Sequence, residues 1–345
     1  MVRVATKCLP VGALPYDNIK QTTAMMAKLF SQIPFVALLP NLSPEDTITK
    51  RLFENIPGIV YENEELVINP GVSNYKENMT KLEKAFNSPN MHNLAAYGFK
   101  ADFLEKYFQM IKKFQSKNAI FNIPGPLSVS QMLDNYAEQH VIVDKSYRRL
   151  SVRAVCVKAL WIIEKIKQVC SETVPIIILE EPMLGQLNSI KKTNPEKDND
   201  FIADLLREVT RKLKKAGAIV GVQCFEKCDW SIPIKAGVDL ISCDAYNNPN
   251  NLAIIPEILT DFLEKGGIIN WGIVPVTSDQ IVQGLKIDYL EKRLSATIDG
   301  VILSGVPEEL LYKASIVSLN GSTDKLSIFF AEKALMHAIK LGSTL

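Results

Sequence analysis

Short apolar segments alternate with longer amphipathic segments along most of the chain. Each apolar segment has the length of one buried strand, and the segments between them repeat their apolar residues with the period of a helix. The eight predicted strands are Val2–Ala5, Pro34–Leu39, Ala119–Ile123, Pro175–Leu179, Ala218–Gln223, Val238–Cys243, Gly267–Trp271 and Ser315–Leu319. This alternation predicts repeated strand–helix units and a parallel sheet.

The helical period is clearest in two of the intervening segments. Apolar residues between Phe201 and Leu213 form one helix face that ends before Gly217, and a second face runs from Val152 to Ile166. Eight strands, most of them followed by a helix, favour a (β/α)8 TIM barrel over a doubly wound sheet. The sequence therefore predicts a single TIM-barrel domain over residues 1–345.

Residues 41–95 depart from the simple repeat because they are too long for a plain strand–helix connection. They predict an inserted lobe after the second strand, within the barrel domain. Inside this segment, the sequence IVYENEELVI at residues 59–68 predicts a β-hairpin whose turn is ENEE.

The composition narrows the classes of partner. The chain has 39 basic and 38 acidic residues, so there is no electrostatic footprint for nucleic acid. No stretch approaches the ~20 apolar residues that span a bilayer, and the first dozen residues do not read as a signal peptide. We therefore expect a cytoplasmic protein that binds a small-molecule substrate, with its six cysteines as free thiols.

In a TIM barrel the functional residues gather at the carboxyl ends of the strands. Glycine, proline and polar residues recur at these positions of the sequence. The candidates for contact with a substrate are Gly12, Tyr16, Gly125, Gln223, Tyr246 and Trp271, and the candidate catalytic carboxylates are Glu181 and Asp244. Two of them have alternative interpretations: Glu181 lines a pocket or binds amides of a neighbouring loop, and Trp271 stacks a flat ligand or plugs the barrel.

Several segments, in this order, resemble a known superfamily: GALPY, IPFVALLPNLSPED, ENIPGIV, IPGPLSVSQML, LEEPMLG, CDW, SCDAYN, GGIINWGIVPVTS and EELLYKAS. The superfamily is that of cobalamin-independent methionine synthase and uroporphyrinogen decarboxylase, and the short single-barrel methionine-synthase-like proteins are the most similar branch. The resemblance implies a barrel whose strand ends bind a methyl donor, a folate or a corrinoid, and a zinc-bound thiol.

The zinc ligands that the resemblance implies are incomplete in this chain. Gln223 and Phe225 stand where the family has histidine and cysteine, and the segment after the eighth strand offers Asn320, not a cysteine. Phenylalanine coordinates nothing, and glutamine is a weak ligand. Asp244 keeps its carboxylate. Cys224 and Cys228, with Asp244, are the candidates for a rebuilt zinc site, but we expect a degenerate site without zinc.

Two classes of function follow from the resemblance. The first is a methyltransferase-like protein that moves a methyl group to a thiol or a corrinoid, with a corrinoid protein as a candidate partner. The second is a metal-independent or non-catalytic binder of a tetrapyrrole, corrinoid or pterin, like uroporphyrinogen decarboxylase. The segments GALPY and NIPGPLS carry no arginine cluster for propionate groups, which argues against a decarboxylase. The sequence leaves open whether the protein is catalytically active.

Overall fold

The computed structural model describes residues 4–10, 12–36, 38–42, 52–62, 65–99, 102–135, 145–187 and 199–345. In chain order the strands are β1 (Ile59–Glu62), β2 (Glu65–Ile68), β3 (Asn118–Pro124), β4 (Asp134–Asn135), β5 (Val174–Glu180), β6 (Ile219–Cys224), β7 (Leu240–Cys243), β8 (Ile268–Val274) and β9 (Ser315–Leu319).

The helices, in the same order, flank these strands. They are α1 (Ile19–Leu29), α2 (Tyr75–Asn87), α3 (Met91–Leu94), α4 (Asp102–Phe114), α5 (Pro126–Met132), α6 (Lys145–Val169), α7 (Asn199–Lys215), α8 (Ser231–Lys235), α9 (Pro256–Glu264), α10 (Asp279–Gly284), α11 (Ile287–Leu303), α12 (Glu308–Ala314) and α13 (Ile328–Gly342). None of the helices in the described ranges is long and apolar enough to cross a membrane.

Six of the eight predicted strands form one parallel sheet in the order β3-β5-β6-β7-β8-β9. The sheet is curled into a half-barrel, and helices connect its strands. The central strands β6, β7 and β8 are buried along their whole length, as expected for a sheet with both faces covered. The predicted α/β class is confirmed.

The full eight-stranded barrel is not confirmed. The first predicted strand lies partly outside the described residues, and the pairing at this edge is a single bridge between Cys8 and Val317. The second predicted strand makes one bridge, between Phe35 and Ile120. The adjacent prolines give a physical reason: Pro10 follows the first bridge and Pro34 precedes the second, and a proline cannot donate to a ladder.

The hairpin predicted at residues 59–68 is present. Strands β1 and β2 pair in antiparallel fashion with Glu62 opposite Glu65, which leaves two residues for the turn. Strand β2 also pairs with the short strand β4, so the hairpin belongs to a separate three-stranded sheet. The inserted lobe over residues 41–95 stays a prediction, because residues 43–51 and 63–64 lie outside the description.

A buried arginine connects α2 to α6 and α7, two helices that pack on the main sheet. Arg153 on α6 pairs with Glu83 on α2 (Nε–Oε1 3.2 Å) and with Glu208 on α7. Its guanidinium also lies 3.7 Å from the ring centre of Phe86 on α2. One side chain therefore joins three helices through two ion pairs and a cation–π contact.

Candidate functional site

A row of polar side chains crosses the sheet near the carboxyl ends of its strands. The register pairs Glu180 with Gln223, Gln223 with Ser242, and Ser242 with Asn270. Registered residues of neighbouring strands project to the same face of a sheet, so these four side chains share one face. Asn122 and Ser318 join them through side-chain hydrogen bonds. We call the six residues Asn122, Glu180, Gln223, Ser242, Asn270 and Ser318 the polar row.

The polar row lies on the face away from the helices. On the opposite face, the Trp271 indole N–H donates to the Ser315 hydroxyl (2.8 Å), which donates to the Leu311 carbonyl of α12 (2.7 Å). Trp271 follows Asn270 directly, and successive strand residues alternate between faces. The structure thus places the predicted stacking residue Trp271, which is fully buried, among the helices and not in the polar row.

Hydrogen bonds hold the row together but leave two oxygen atoms unpaired. The Asn270 amide donates to the hydroxyls of Ser242 and Ser318, at 2.8 Å each, and Asn122 donates to Glu180 (2.8 Å). The side-chain amide oxygens of Gln223 (Oε1) and Asn270 (Oδ1) are buried, and neither has a hydrogen-bond partner in the described part of the chain. Buried acceptors of this kind are uncommon and call for an explanation such as a ligand or water.

Asp244 follows β7 and stands beside the row. It has the same strand parity as Ser242 and accepts hydrogen bonds from the Asn247 backbone (3.0 Å) and side chain (2.6 Å). The Asn320 amide, at the end of β9, donates to the same carboxylate (3.3 Å). Asp244 therefore joins the ends of β7 and β9, and it is buried there.

Of the two alternatives for Glu181, the structure shows the second, in which its carboxylate binds amides of a neighbouring loop. Its buried carboxylate accepts from the backbone amides of Leu127 (2.9 Å) and Ser128 (2.8 Å) and from the Ser128 hydroxyl (2.6 Å). These donors form the amino-terminal turn of α5, where a negative charge is favoured. Burial nevertheless raises the pKa of Glu181 to about 7, and the three hydrogen bonds act in the opposite direction.

Gly125 makes this contact geometrically feasible. A Cβ atom at this position would lie 2.2 Å from the nearest Glu181 oxygen, closer than real Cβ contacts come. Gly125 therefore allows the carboxylate at the end of β5 to reach the first turn of α5. The two predicted residues are brought together, as a link between the loops that follow β3 and β5.

Glu180, one residue before Glu181, is the carboxylate that faces the polar row. It is half-buried, and burial raises its pKa, although the hydrogen bond from Asn122 lowers it. Glu180 is thus better placed than Glu181 to act on a ligand at the inner face.

The remaining predicted contact residues lie around the row and not in it. Gly12 has a positive φ of 83°, and its Cα packs against Ser322 in the loop after β9. Tyr16 is buried and donates to Glu332 on α13 (2.6 Å), and its pKa is raised by burial and by that bond. Tyr246 is half-buried under the guanidinium of Arg293, 4.4 Å from its ring centre.

Three cysteines cluster at the ends of β6 and β7. Cys224 and Cys243 are registered partners, and Cys228 forms a side-chain hydrogen bond with Cys224. The interaction with Cys228 lowers the pKa of the Cys224 thiol, and the same interaction together with burial raises the pKa of Cys228. The Cys224 thiol also donates to the Glu226 carbonyl (3.6 Å). Cys224, Cys243 and Trp271 are in register on neighbouring strands, so their side chains share one face of the sheet. This is the helix-covered face, opposite the face of Gln223.

The donor set does not fit the zinc site that the resemblance implies. Of the four positions, Gln223 and Asn320 present amides and Phe225 presents a ring, so Asp244 is left as the usual zinc ligand. The Asn320 amide is already bound to Asp244. Cys224 points to the other face, and within the described ranges no group of three or more histidine, cysteine, aspartate or glutamate side chains could hold a metal ion.

Most of the polar row was not predicted from the strand ends. Glu180, Asn122, Ser242, Asn270 and Ser318 were not among the candidate residues, although each is a polar residue in a strand that is otherwise largely apolar. A parallel strand that is buried on both faces is expected to be apolar throughout. A lone polar residue at the same level of several strands was therefore the signal that could have found the row.

The fold is shared with two solved methyl-transfer proteins. The chain is similar to a B12-independent methionine synthase from Shewanella sp. W3-18-1, solved in complex with selenomethionine, with a TM-score of 0.59 and 14% identity over 99% of this chain and 97% of that one. It is also similar to a methyltransferase from Methanosarcina mazei, with a TM-score of 0.50 and 10% identity over 98% and 94% of the two chains.

No protein-family model matches the chain, and no curated protein sequence does. At such low identities the structural likeness is one of fold. The fold is one that a methionine synthase and a methyltransferase also have.

Proposed function

We propose that the chain is a methyltransferase-like protein that binds a small molecule at the polar row and moves a methyl group to a thiol or a corrinoid without the zinc that the resemblance implies. The observation that carries this proposal is the polar row, which holds two unpaired buried oxygens and the half-buried carboxylate of Glu180. Polar groups that converge at the carboxyl ends of parallel strands are typical of binding sites in this class of fold.

The proposal includes a complete (β/α)8 barrel around the row. It is supported by the two edge bridges, at Cys8 and Phe35, which add one segment to each side of the sheet. A backbone hydrogen bond from Leu14 to Leu38 (3.0 Å) then joins these two segments to each other.

Glu180 has a specific part in the proposed reaction. A thiol has a pKa of about 8.5 and must lose its proton before it can accept a methyl group. Three of the four ligand positions at the strand ends carry amides or a ring, and the fourth, Asp244, is bound by Asn247 and Asn320, so another protein base has to take this proton. Glu180 faces the polar row and accepts a hydrogen bond from Asn122, whereas Glu181 is occupied by three donors of α5.

The test is methyl transfer from methylcobalamin, and separately from methyltetrahydrofolate, to homocysteine, with and without added zinc. We expect turnover that zinc does not raise, and a loss of at least tenfold in Glu180→Gln. Glu172→Gln, at an exposed glutamate in the loop before β5, is the control and should keep full activity. Activity that requires zinc, or that is unchanged in Glu180→Gln, would contradict the proposed mechanism.

A binder without chemistry is the second candidate, and one contact favours it. Asn320 stands where a zinc ligand is implied and is engaged with Asp244, so these two groups are already paired. Such a protein would bind methylcobalamin, methyltetrahydrofolate or a tetrapyrrole with no turnover. A Gln223→Ala variant should then bind more weakly, and equilibrium titration would measure the loss.

A further inference from the structure

Two thiols at the end of β6 are in contact on the face of the sheet opposite the polar row. Cys224 is the last residue of β6, and Cys228 lies four residues later in the turn that precedes α8. A side-chain hydrogen bond joins them. Cys224 is 1% exposed and Cys228 is 7% exposed, so both thiols are buried and Cys228 is the nearer of the two to solvent.

The turn that carries Cys228 is held by its neighbours in the sequence Cys228-Asp229-Trp230. Asp229 accepts from the Ser231 amide (3.0 Å) and from the Asn199 side chain (3.0 Å), which fixes the turn against α7. The amide of Asn251, assigned with its oxygen towards the buried Trp230 indole (2.8 Å), donates to the Cys228 carbonyl (3.2 Å). These hydrogen bonds from Ser231, Asn199 and Asn251 fix the turn that carries Cys228.

Cys243 is near the pair on the neighbouring strand, but its thiol is directed towards β8. It is the registered partner of Cys224 across β6 and β7. Its own thiol donates to the Asn270 carbonyl of β8 (3.8 Å), on the side away from β6. Cys243 is thus bonded to β8, and Cys228 is the thiol that interacts with Cys224, whose own thiol also donates to the Glu226 carbonyl in the following loop (3.6 Å).

We propose that Cys224 and Cys228 are a reversible dithiol–disulfide pair, a modification site that a peroxide oxidises and a thiol reductant restores. The sulfur of Cys224 attacks one oxygen of the peroxide, the O–O bond breaks, and Cys224 becomes a sulfenic acid as one water leaves. The sulfur of Cys228 then attacks the sulfenic sulfur, the S–S bond forms and a second water leaves. Two thiols lose two electrons and two protons, and the peroxide gains them.

Oxidation of this pair would act on the loop after β5. A backbone hydrogen bond from Gly185 reaches the Cys224 sulfur, and the Cα of Gly185 faces Glu226 so closely that a Cβ would lie 2.4 Å from its carboxylate. A disulfide takes away the acceptor character of that sulfur and draws the turn at Cys228 towards β6. The loops after β5 and β6 would then shift next to Gln223.

The test is peptide mapping of the intact chain by mass spectrometry after treatment with hydrogen peroxide, before and after dithiothreitol. We expect a loss of about 2 Da, the mass of two hydrogens, in a linked peptide pair that contains Cys224 and Cys228, and its recovery on reduction. Cys228→Ser should stop at a trapped sulfenic acid on Cys224, which a dimedone adduct reports.

Cys170→Ser is the control, because that thiol lies at the end of α6 with Gln115 as its neighbour, and it should leave the disulfide unchanged. A bond to Cys243, no linked peptide in the wild-type chain, or further oxidation of Cys224 that dithiothreitol does not reverse would overturn the proposal. The wild-type map alone gives this answer, so the outcome holds even if the serine variants do not fold. It also needs no activity, so it is independent of the proposed methyl transfer.

Discussion

Glu181 offers a direct measurement of the competition between burial and hydrogen bonding. Burial raises its pKa to about 7 from an ordinary value of 4.5, against three hydrogen bonds that favour the charged form. The folded chain therefore keeps a proton that the unfolded chain loses, and the free energy of unfolding falls as the pH rises from 4.5 to 7. The difference between these two pKa values corresponds to a contribution of about 3 kcal/mol to the free energy of unfolding. This contribution is fully present below pH 4.5 and is lost by pH 7.

The perturbation is Glu181→Gln, because glutamine keeps the shape of the side chain but does not titrate. We expect the variant to be less stable at every pH, since its NH₂ group faces an amide donor, but to lack the decrease of about 3 kcal/mol between pH 4.5 and 7. Urea unfolding from pH 4 to 8 measures both effects, with Glu172→Gln at an exposed position as the control.

The decisive quantity is the difference between wild type and variant as a function of pH. If this difference does not decrease from pH 4.5 to 7, the folded-state pKa of Glu181 lies at or below 4.5 and the reasoning is refuted, because the hydrogen bonds from α5 then match or outweigh burial. A difference that increases with pH below 4.5 and is level above it would show that the folded-state pKa is lower than the unfolded one.

Two further substitutions test the packing around the site by urea unfolding. Arg153→Met should lower the free energy of unfolding by about 1.5–3 kcal/mol, because it removes the hydrogen bonds of a buried guanidinium to two partly exposed glutamates. Arg149→Met, at a largely exposed partner of Glu83, should cost less than about 1 kcal/mol; equal losses would contradict the anchoring role. Gly125→Ala should lower the free energy of unfolding by more than about 2 kcal/mol, because its methyl group would displace the Glu181 carboxylate. Gly284→Ala is the control and should be neutral, because a Cβ there meets no atom within 4 Å. A Gly125→Ala chain as stable as the wild type would show that the link is dispensable.

Hydrophobic periodicity predicted the strands that are buried on both faces, whereas its two predictions at the edges of the sheet are not confirmed. Six strands lie where the apolar segments predicted them, and α7 has the predicted buried face. The hairpin at residues 59–68 followed from its turn. The first two predicted strands are not confirmed: the first lies partly outside the described residues, and the second, which begins at Pro34, makes a single bridge at Phe35.

The site was predicted in part, because a strand-end residue is visible in a sequence and the face to which it projects is not. The structure brings Gln223 to the polar row and Asp244 beside it. It places Trp271 on the opposite face, and it turns Glu180, not Glu181, towards the row. In a sequence such as LEEP either carboxylate could face inwards, and only the register of β5 with β6 decides between them.

The two single bridges at the sides of the sheet have a consequence for association between molecules. An unpaired outer strand presents a row of free amides and carbonyls to which another chain can add. Here Val317 of β9 exchanges main-chain bonds with Lys7 and Leu9, and Ile120 of β3 does so with Pro34 and Val36. Short proline-flanked segments of the same chain thus shield both outer strands from intermolecular strand addition, even where they are too short to count as strands themselves.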